Sequence, residues 1–440
     1  MQTLSPPAVR LARSLLPLAG VAAPLLALVR IVLWSVNVPY SDEWDWTPLA
    51  AAAHDGSLRW DDLWMPHNGH RQLVANAVFL GIDRQGGWNV VREELAGLAC
   101  LIAGLIALHR LLRRTMAPLA ADAAFAVTAW LIAGPITFES VLTGSNLGWS
   151  LSAAAMLIAA ERLSAPARSW RDLVLAGGVA LIASFTLAPG LIVWPCGLLV
   201  LLGQRAPWRT AAVWCAAAAC TFAVYFTGYA TDPATAALRA RSGADAFFYA
   251  LVFLGTPLRS AEMSLHVLEA LGAITALAFV AGAVLALRSA DARYRAWPWI
   301  GLGAYALTGA VITSYTRAGM GESQAMSPRY VSVSAFLLVA TVALLLPRAL
   351  ALRATVPRAA AIAAAFVFLF VLARSEKLGS TLWRDYVYHR GVAVQGLARN
   401  DASTFWESYP NATVLERYLD TLRAVDDGPL DERVKTQPAK

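Results

Sequence analysis

Hydrophobic residues fall in long blocks of about 15–23 positions, divided by short polar breaks, over most of the chain. Blocks of that length cross a hydrocarbon core of ~30 Å as helices. They predict spans near Leu15–Val36, Glu94–Leu112, Pro118–Ile136, Leu147–Ala160, Leu173–Leu187, Leu191–Leu202 and Ala211–Tyr229. Four more are expected near Val267–Leu287, Pro298–Ser314, Val331–Leu346 and Ala359–Leu372, about eleven in all. The fifth and sixth meet at Ala188-Pro189-Gly190, which predicts a tight hairpin or a partial re-entry. Phe247–Leu254 is apolar but too short to cross, and is expected to lie along the interface. The fold class is therefore an all-α polytopic membrane protein.

Composition agrees. Of 440 residues, 58% are hydrophobic and 15% charged, too little charge for a soluble chain of this size. The first block is too long for a signal-peptide core and no small-residue cleavage site follows it, so it is expected to stay as a membrane helix. The four cysteines fall in apolar blocks without metal-ligand spacing, against a disulfide scaffold or a zinc site.

The net charge of +7 does not point to nucleic acid, because arginines spread over short loops account for it. Arg110, Arg113 and Arg114, Arg162, Arg168 and Arg171, Arg205 and Arg209, Arg288, Arg293 and Arg295, and Arg348, Arg353 and Arg358 mark one side as cytoplasmic, together with Arg10 and Arg13. The N-terminus is then inside and the segment after Arg374 outside. Scarce lysine and abundant alanine suggest a bacterial chain, hence an inner-membrane protein with a periplasmic C-terminus. Loops 37–93, 137–146, 188–190, 230–266 and 315–330 share the outer face. They mix acids, histidines, arginines and aromatics, whereas the inner loops are short and arginine-rich.

Two domains follow: a membrane domain over 1–374, with its large outer loop at 37–93, and a small outer segment over 375–440. In that loop Thr47 and Pro48 predict one helix, ended by Gly56, and Asn68 is expected to cap another running to about Ile82. The tail is expected to be mostly helical, broken at Asp426-Asp427-Gly428-Pro429 and frayed beyond.

The densest chemistry is Ser41-Asp42-Glu43-Trp44-Asp45-Trp46, just where the first span ends. A sugar on a lipid phosphate already has a good leaving group. Its transfer needs one base for the acceptor and cations for the departing phosphate. Asp42, with Glu43 beside it, suits the base. Asp45, Trp44 and Trp46 suit sugar or acceptor binding. His67, His70 and Arg71 are candidates for the phosphate, as are Arg317 and Arg329 on the same face, and Glu139 is a second carboxylate for the acceptor. Arg30 is the one clear intramembrane charge of the first span. Asp42, Glu43 and Asp45 also offer hard oxygen ligands for a divalent cation such as Mg or Mn, although no metal-ligand motif is present.

Tyr40-Ser41-Asp42-Glu43-Trp44-Asp45, His67-Asn68-Gly69-His70-Arg71, the run from Phe185 to Pro195 and Ser327-Pro328-Arg329-Tyr330 resemble motifs of uncharacterised bacterial membrane proteins of the GT-C glycosyltransferase type. The order of elements resembles that superfamily along the whole chain: first span, acidic motif, large outer loop with juxtamembrane helices, many spans, outer C-terminal segment. It includes the protein mannosyltransferases and the aminoarabinose transferases of lipid A. The resemblance implies a polyprenyl-phosphate-sugar donor, a cell-envelope glycan or lipid acceptor, and Asp42 as the base. The C-terminal segment is smaller than in the larger members. Two other readings remain: a transporter or flippase for a lipid-linked or polar solute, with broken helices at Pro189-Gly190 and Thr256-Pro257, and a non-catalytic envelope-glycan assembly subunit. Transporters hold polar residues near the midplane, and here those residues gather in outer loops.

Overall fold

The computed structural model describes residues 6–230, 233–352, 355–399 and 401–424, which form helices and, among the described residues, no named strand. Helix α1 (Pro6–Trp34) leads to Ser41–Trp46, a 3₁₀ turn. Then come α2 (Thr47–His54), α3 (Trp60–Trp64), α4 (Leu73–Asp83), α5 (Val90–Thr115), α6 (Pro118–Ala133) and the short α7 (Phe138–Val141). The chain continues through α8 (Leu147–Leu163), α9 (Trp170–Ser184), α10 (Val193–Gly203), α11 (Trp208–Phe226) and α12 (Pro233–Ala237). It ends with α13 (Gly243–Gly255), α14 (Leu265–Arg288), α15 (Ala290–Arg317), α16 (Val331–Ala351), α17 (Thr355–Arg399) and α18 (Ala412–Ala424).

Among the described residues, seven helical stretches are long and apolar enough to cross a membrane: in α1, α5, α6 with its extension to Val141, α11, α14, α16 and α17. The chain is a multi-pass helical membrane protein. Helices α8, α9 and α10 stand where further spans were expected but are shorter. Helix α15 also stands at an expected span and has 28 residues, but it carries Asp291, Arg293 and Arg295 in its first turns. The hairpin expected at Ala188-Pro189-Gly190 is a 3₁₀ turn between α9 and α10.

The structure corrects two expectations. Phe247–Leu254 does not lie flat on the interface. Its helix, α13, buries Tyr249, Val252 and Phe253 completely, and Gly255 and Gly272 let α13 and α14 touch backbone to backbone. Asn68 does not cap α4, which starts at Leu73. Asn68 and Gly69 instead form a tight turn with φ of 49° and 80°. Arg30, the intramembrane charge of the first span, lies under the Trp383 ring, 4.4 Å from its centroid, and donates to Ser380 at 3.0 Å.

Helix α17 runs unbroken through residue 374 to Arg399, and Gly379 permits its close approach to Pro135 and Ile136. Beyond it, Phe405 and α18 close a second, smaller core. Leu415, Leu419 and Leu422 pack there with Trp44, Leu49, Phe79 and Trp88, apart from the main bundle core around Trp299, Tyr305 and Phe336. Each such buried leucine contributes about 1.5–3 kcal/mol, enough to hold a 13-residue helix in place. The break expected at Asp426-Asp427-Gly428-Pro429 lies outside the described residues.

Candidate active site

A cavity of about 740 Å³ opens where the loops after α1, α7, α9, α11 and α15 meet. That volume suits a ligand of moderate size. Asp42, His67, His70, Arg239, Arg317 and Arg329 line its polar part. Ile192, Pro195, Phe222, Phe226, Ile312 and Val333 line its apolar part, and Phe226 and Ile312 are also exposed on the flank of the bundle.

The acidic motif sends its side chains in different directions, as a 3₁₀ turn at ~120° per residue requires. Asp42 faces the cavity. Its side chain is 47% exposed, and its carboxylate lies 3.7 Å from Arg329 Nη1. Ser41, directly before it, sits at φ 52°, a left-handed conformation uncommon for serine. Glu43 points the other way and is fully buried. It accepts from the backbone N–H groups of Tyr40 and Gly144 and lies 3.5 Å from Arg390, itself 1% exposed. Arg390 also donates to Val38 O at 2.6 Å and Glu94 at 3.2 Å. Burial raises the pKa of Glu43 against the opposing pull of Arg390. Glu43 is a clamp under the motif and does not reach the cavity that Asp42 faces.

Trp44 is buried and donates to Ser408 Oγ at 2.8 Å. Asp45 turns to the C-terminal cap, accepting from Tyr409 at 2.7 Å and Tyr418 at 3.2 Å, with His67 3.5 Å away on its other oxygen. Burial and Asp45 raise the pKa of both tyrosines. Trp46 lines the cavity and packs on Phe79. Asp42 and Trp46 thus reach the cavity, and Glu43, Trp44 and Asp45 do not.

His67 and His70 flank the Asn68-Gly69 turn and exchange both backbone hydrogen bonds, at 2.9 and 2.8 Å. Positive φ at both central residues is the geometry Asn-Gly favours in a two-residue hairpin. Both imidazoles line the cavity. Burial, with Arg317, His67 and Arg329 nearby, pushes His70 down to about 3, so its ring is neutral and adds no charge for an anion. Arg71 is another correction. It is 1% exposed, stacks on Trp64, and donates to the carbonyls of Tyr225 (2.6 Å), Thr227 (2.6 Å) and Trp64. It thereby satisfies carbonyls at the C-terminal end of α11 and does not line the cavity.

Arg317 ends α15 and donates to Asn68 O at 3.1 Å. Arg329 follows Pro328, with Glu139 accepting from its backbone N–H at 3.2 Å and from Ser327 at 3.0 Å. Glu139 braces the Arg329 turn from behind the cavity wall. The sequence reading missed Arg239. Backbone pairing of Ala240 with Tyr315 and of Gly319 with Leu238 sets its segment beside Arg317. It also missed Ser145 and Asn146, which line the wall next to the Gly144 that Glu43 holds. Only the pairing of distant loops reveals these residues. Asp42, Glu43 and Asp45 do not converge, and among the described residues no three His, Cys, Asp or Glu side chains do.

No protein-family model matches the chain, and no curated protein matches it. Among solved structures it is similar to ArnT from Cupriavidus metallidurans in the apo state, with a TM-score of 0.49 and 15% identity over 86% of this chain and 80% of that one. The same protein bound to undecaprenyl phosphate gives 0.47 at 15% identity, with the same coverage. Archaeal oligosaccharyltransferase AglB from Archaeoglobus fulgidus, in complex with an inhibitory peptide and a dolichol-phosphate, gives 0.48 at 14% identity, over 96% of this chain and 60% of that one. At these values the likeness does not reach individual side chains.

Proposed function

We propose that the protein is a membrane glycosyltransferase. It moves a sugar from a polyprenyl-phosphate-linked donor to a cell-envelope glycan or lipid acceptor on the periplasmic face. One observation carries this reading: a single cavity joins a carboxylate, three arginines and an apolar groove that reaches the flank of the bundle. The groove suits a polyprenyl chain arriving from the bilayer, and the arginines suit the phosphate at its head. Asp42 takes the proton from the acceptor hydroxyl or amine. The acceptor atom bonds to the anomeric carbon as the carbon–oxygen bond to phosphate breaks, and the electron pair leaves with the lipid phosphate. Arg317 and Arg239 hold the donor phosphate, while Arg329 orients Asp42. Undecaprenyl phosphate, the ligand in one ArnT structure, is a lipid of this class, but the reading rests on the cavity's own chemistry.

The test uses purified protein in nanodiscs with a polyprenyl-phosphate sugar and an envelope glycan acceptor. Transfer by the wild type is expected. Asp42→Asn should cut turnover by ~10²–10⁴ with donor binding preserved. Near-normal turnover by that variant would remove Asp42 from the base role. Movement of intact donor across the bilayer without transfer would favour a flippase.

A further inference from the structure

The C-terminal cap is joined to the cavity by a chain of polar contacts that no catalytic step uses. Tyr409 and Tyr418, their rings 5.8 Å apart, both donate to one oxygen of Asp45. The other oxygen of Asp45 lies 3.5 Å from His67 Nε2. His67 opens the hairpin whose next residue, Asn68, accepts from Arg317 through its carbonyl. A second polar anchor of the cap is Ser408, whose carbonyl accepts from Ser41 N–H at 2.7 Å and whose hydroxyl accepts from Trp44. That anchor touches the motif beside Asp42, whereas the tyrosine branch leads to Arg317. The two branches separate the ends of the cavity.

We propose that Tyr409 and Tyr418 are positioning residues that act, through Asp45 and His67, on the anion-binding end of the cavity. This rests on the transferase reading above. The two hydroxyls fix the Asp45 carboxylate, which fixes the His67 edge of the hairpin and so the carbonyl that aims Arg317. No side chain of the branch touches the Asp42 carboxylate, whose neighbours are Ser41 and Arg329, so the proton-transfer step is left alone. The consequence is a division of labour: the cap sets how well the donor phosphate is held, not how fast the held donor reacts.

The experiment uses the full-length protein in nanodiscs. Tyr409→Phe and Tyr418→Phe together keep both rings and remove both hydroxyls. Losing a relayed hydrogen bond of this kind is expected to raise the donor KM by ~5- to 10-fold, with kcat within a factor of ~3. His67→Gln should reproduce that split. Tyrosine changes made in the His67→Gln background should then add little, because residues in one network are not additive. A purely structural cap would lower thermal stability and kcat together, and its effect would multiply with that of His67→Gln. Either of those outcomes overturns the proposal. A wild-type protein that neither binds nor turns over a polyprenyl-phosphate sugar removes the transferase reading, and this inference with it. Wild-type transfer with multiplicative variants removes the inference alone.

Discussion

Asp42 and Glu43 are adjacent in the chain and belong to different regions of the molecule. Asp42 stands on a cavity wall, half exposed beside Arg329. Glu43 is fully buried beneath that wall, with Arg390 and two backbone donors. The same division separates the arginines. Arg317 and Arg329 face the open volume, and Arg71 and Arg390 are spent on carbonyls and carboxylates of the scaffold. In a lipid-facing protein a buried charge persists only where partners satisfy it. Partner saturation, rather than charge type, therefore tells a working residue from a clamp.

The sharpest way to break this comparison is to change one member of each region and read both catalysis and stability. Asp42→Asn should lose turnover by ~10²–10⁴ and keep its melting temperature, as its side chain is exposed and loosely paired. Arg390→Met should do the reverse, at the cost of about 3–5 kcal/mol of stability, because Glu43 and Glu94 lose their buried cation. A stable Arg390→Met protein with impaired donor turnover would place Arg390 in the chemistry and dissolve the distinction.

A smaller effect sharpens it. Arg317→Gln removes a cation from the cavity wall and should weaken donor binding ~10- to 100-fold with little change in unfolding. Arg71→Gln strips donors from three carbonyls and a ring stack. It should lower stability by about 2–3 kcal/mol while the remaining folded protein binds donor nearly as well. Titration of a fluorescent polyprenyl phosphate, beside a thermal melt, separates the two. Equal losses of affinity would show that Arg71 shares the donor site after all.

The sequence reveals where this division falls but not which residue lies on which side. Apolar blocks mark the bundle because burial in lipid leaves no choice of composition, and the acidic motif and Asn-Gly hairpin mark the loops that build the cavity. Direction is a different quantity. Residues 42 to 46 share one short turn, and a one-residue step swings a carboxylate from cavity to clamp. Arg71 reads as a phosphate ligand until Tyr225 and Thr227, over 150 residues away, take its donors. Arg239 reads as an ordinary loop arginine until the pairing with residues 315–319 brings it beside Arg317. Phe247–Leu254 looks interfacial by length, and only the glycine contact with α14 shows that its helix packs inside.

The subtlest comparison is between the two histidines of one hairpin. His67 reaches out to Asp45, whereas His70 sits among burial and cations that push it down to about 3. Its ordinary value is 6.5, so between about 3 and 6.5 the unfolded chain holds a proton at His70 that the folded chain does not. The unfolded state binding more protons means that stability rises with pH across that window and is lost as pH falls below 6.5. Above 6.5 this residue contributes no slope. His70→Gln, which cannot titrate, should flatten that part of the acid limb, by at most about 1.4 kcal/mol per pH unit. Melting temperatures of both proteins at intervals from pH 7 to pH 4 measure the difference, at a single detergent and ionic strength. Parallel acid limbs would mean that His70 takes up its proton in the folded state as well, making it a cation of the cavity and a partner of the arginines in holding the phosphate.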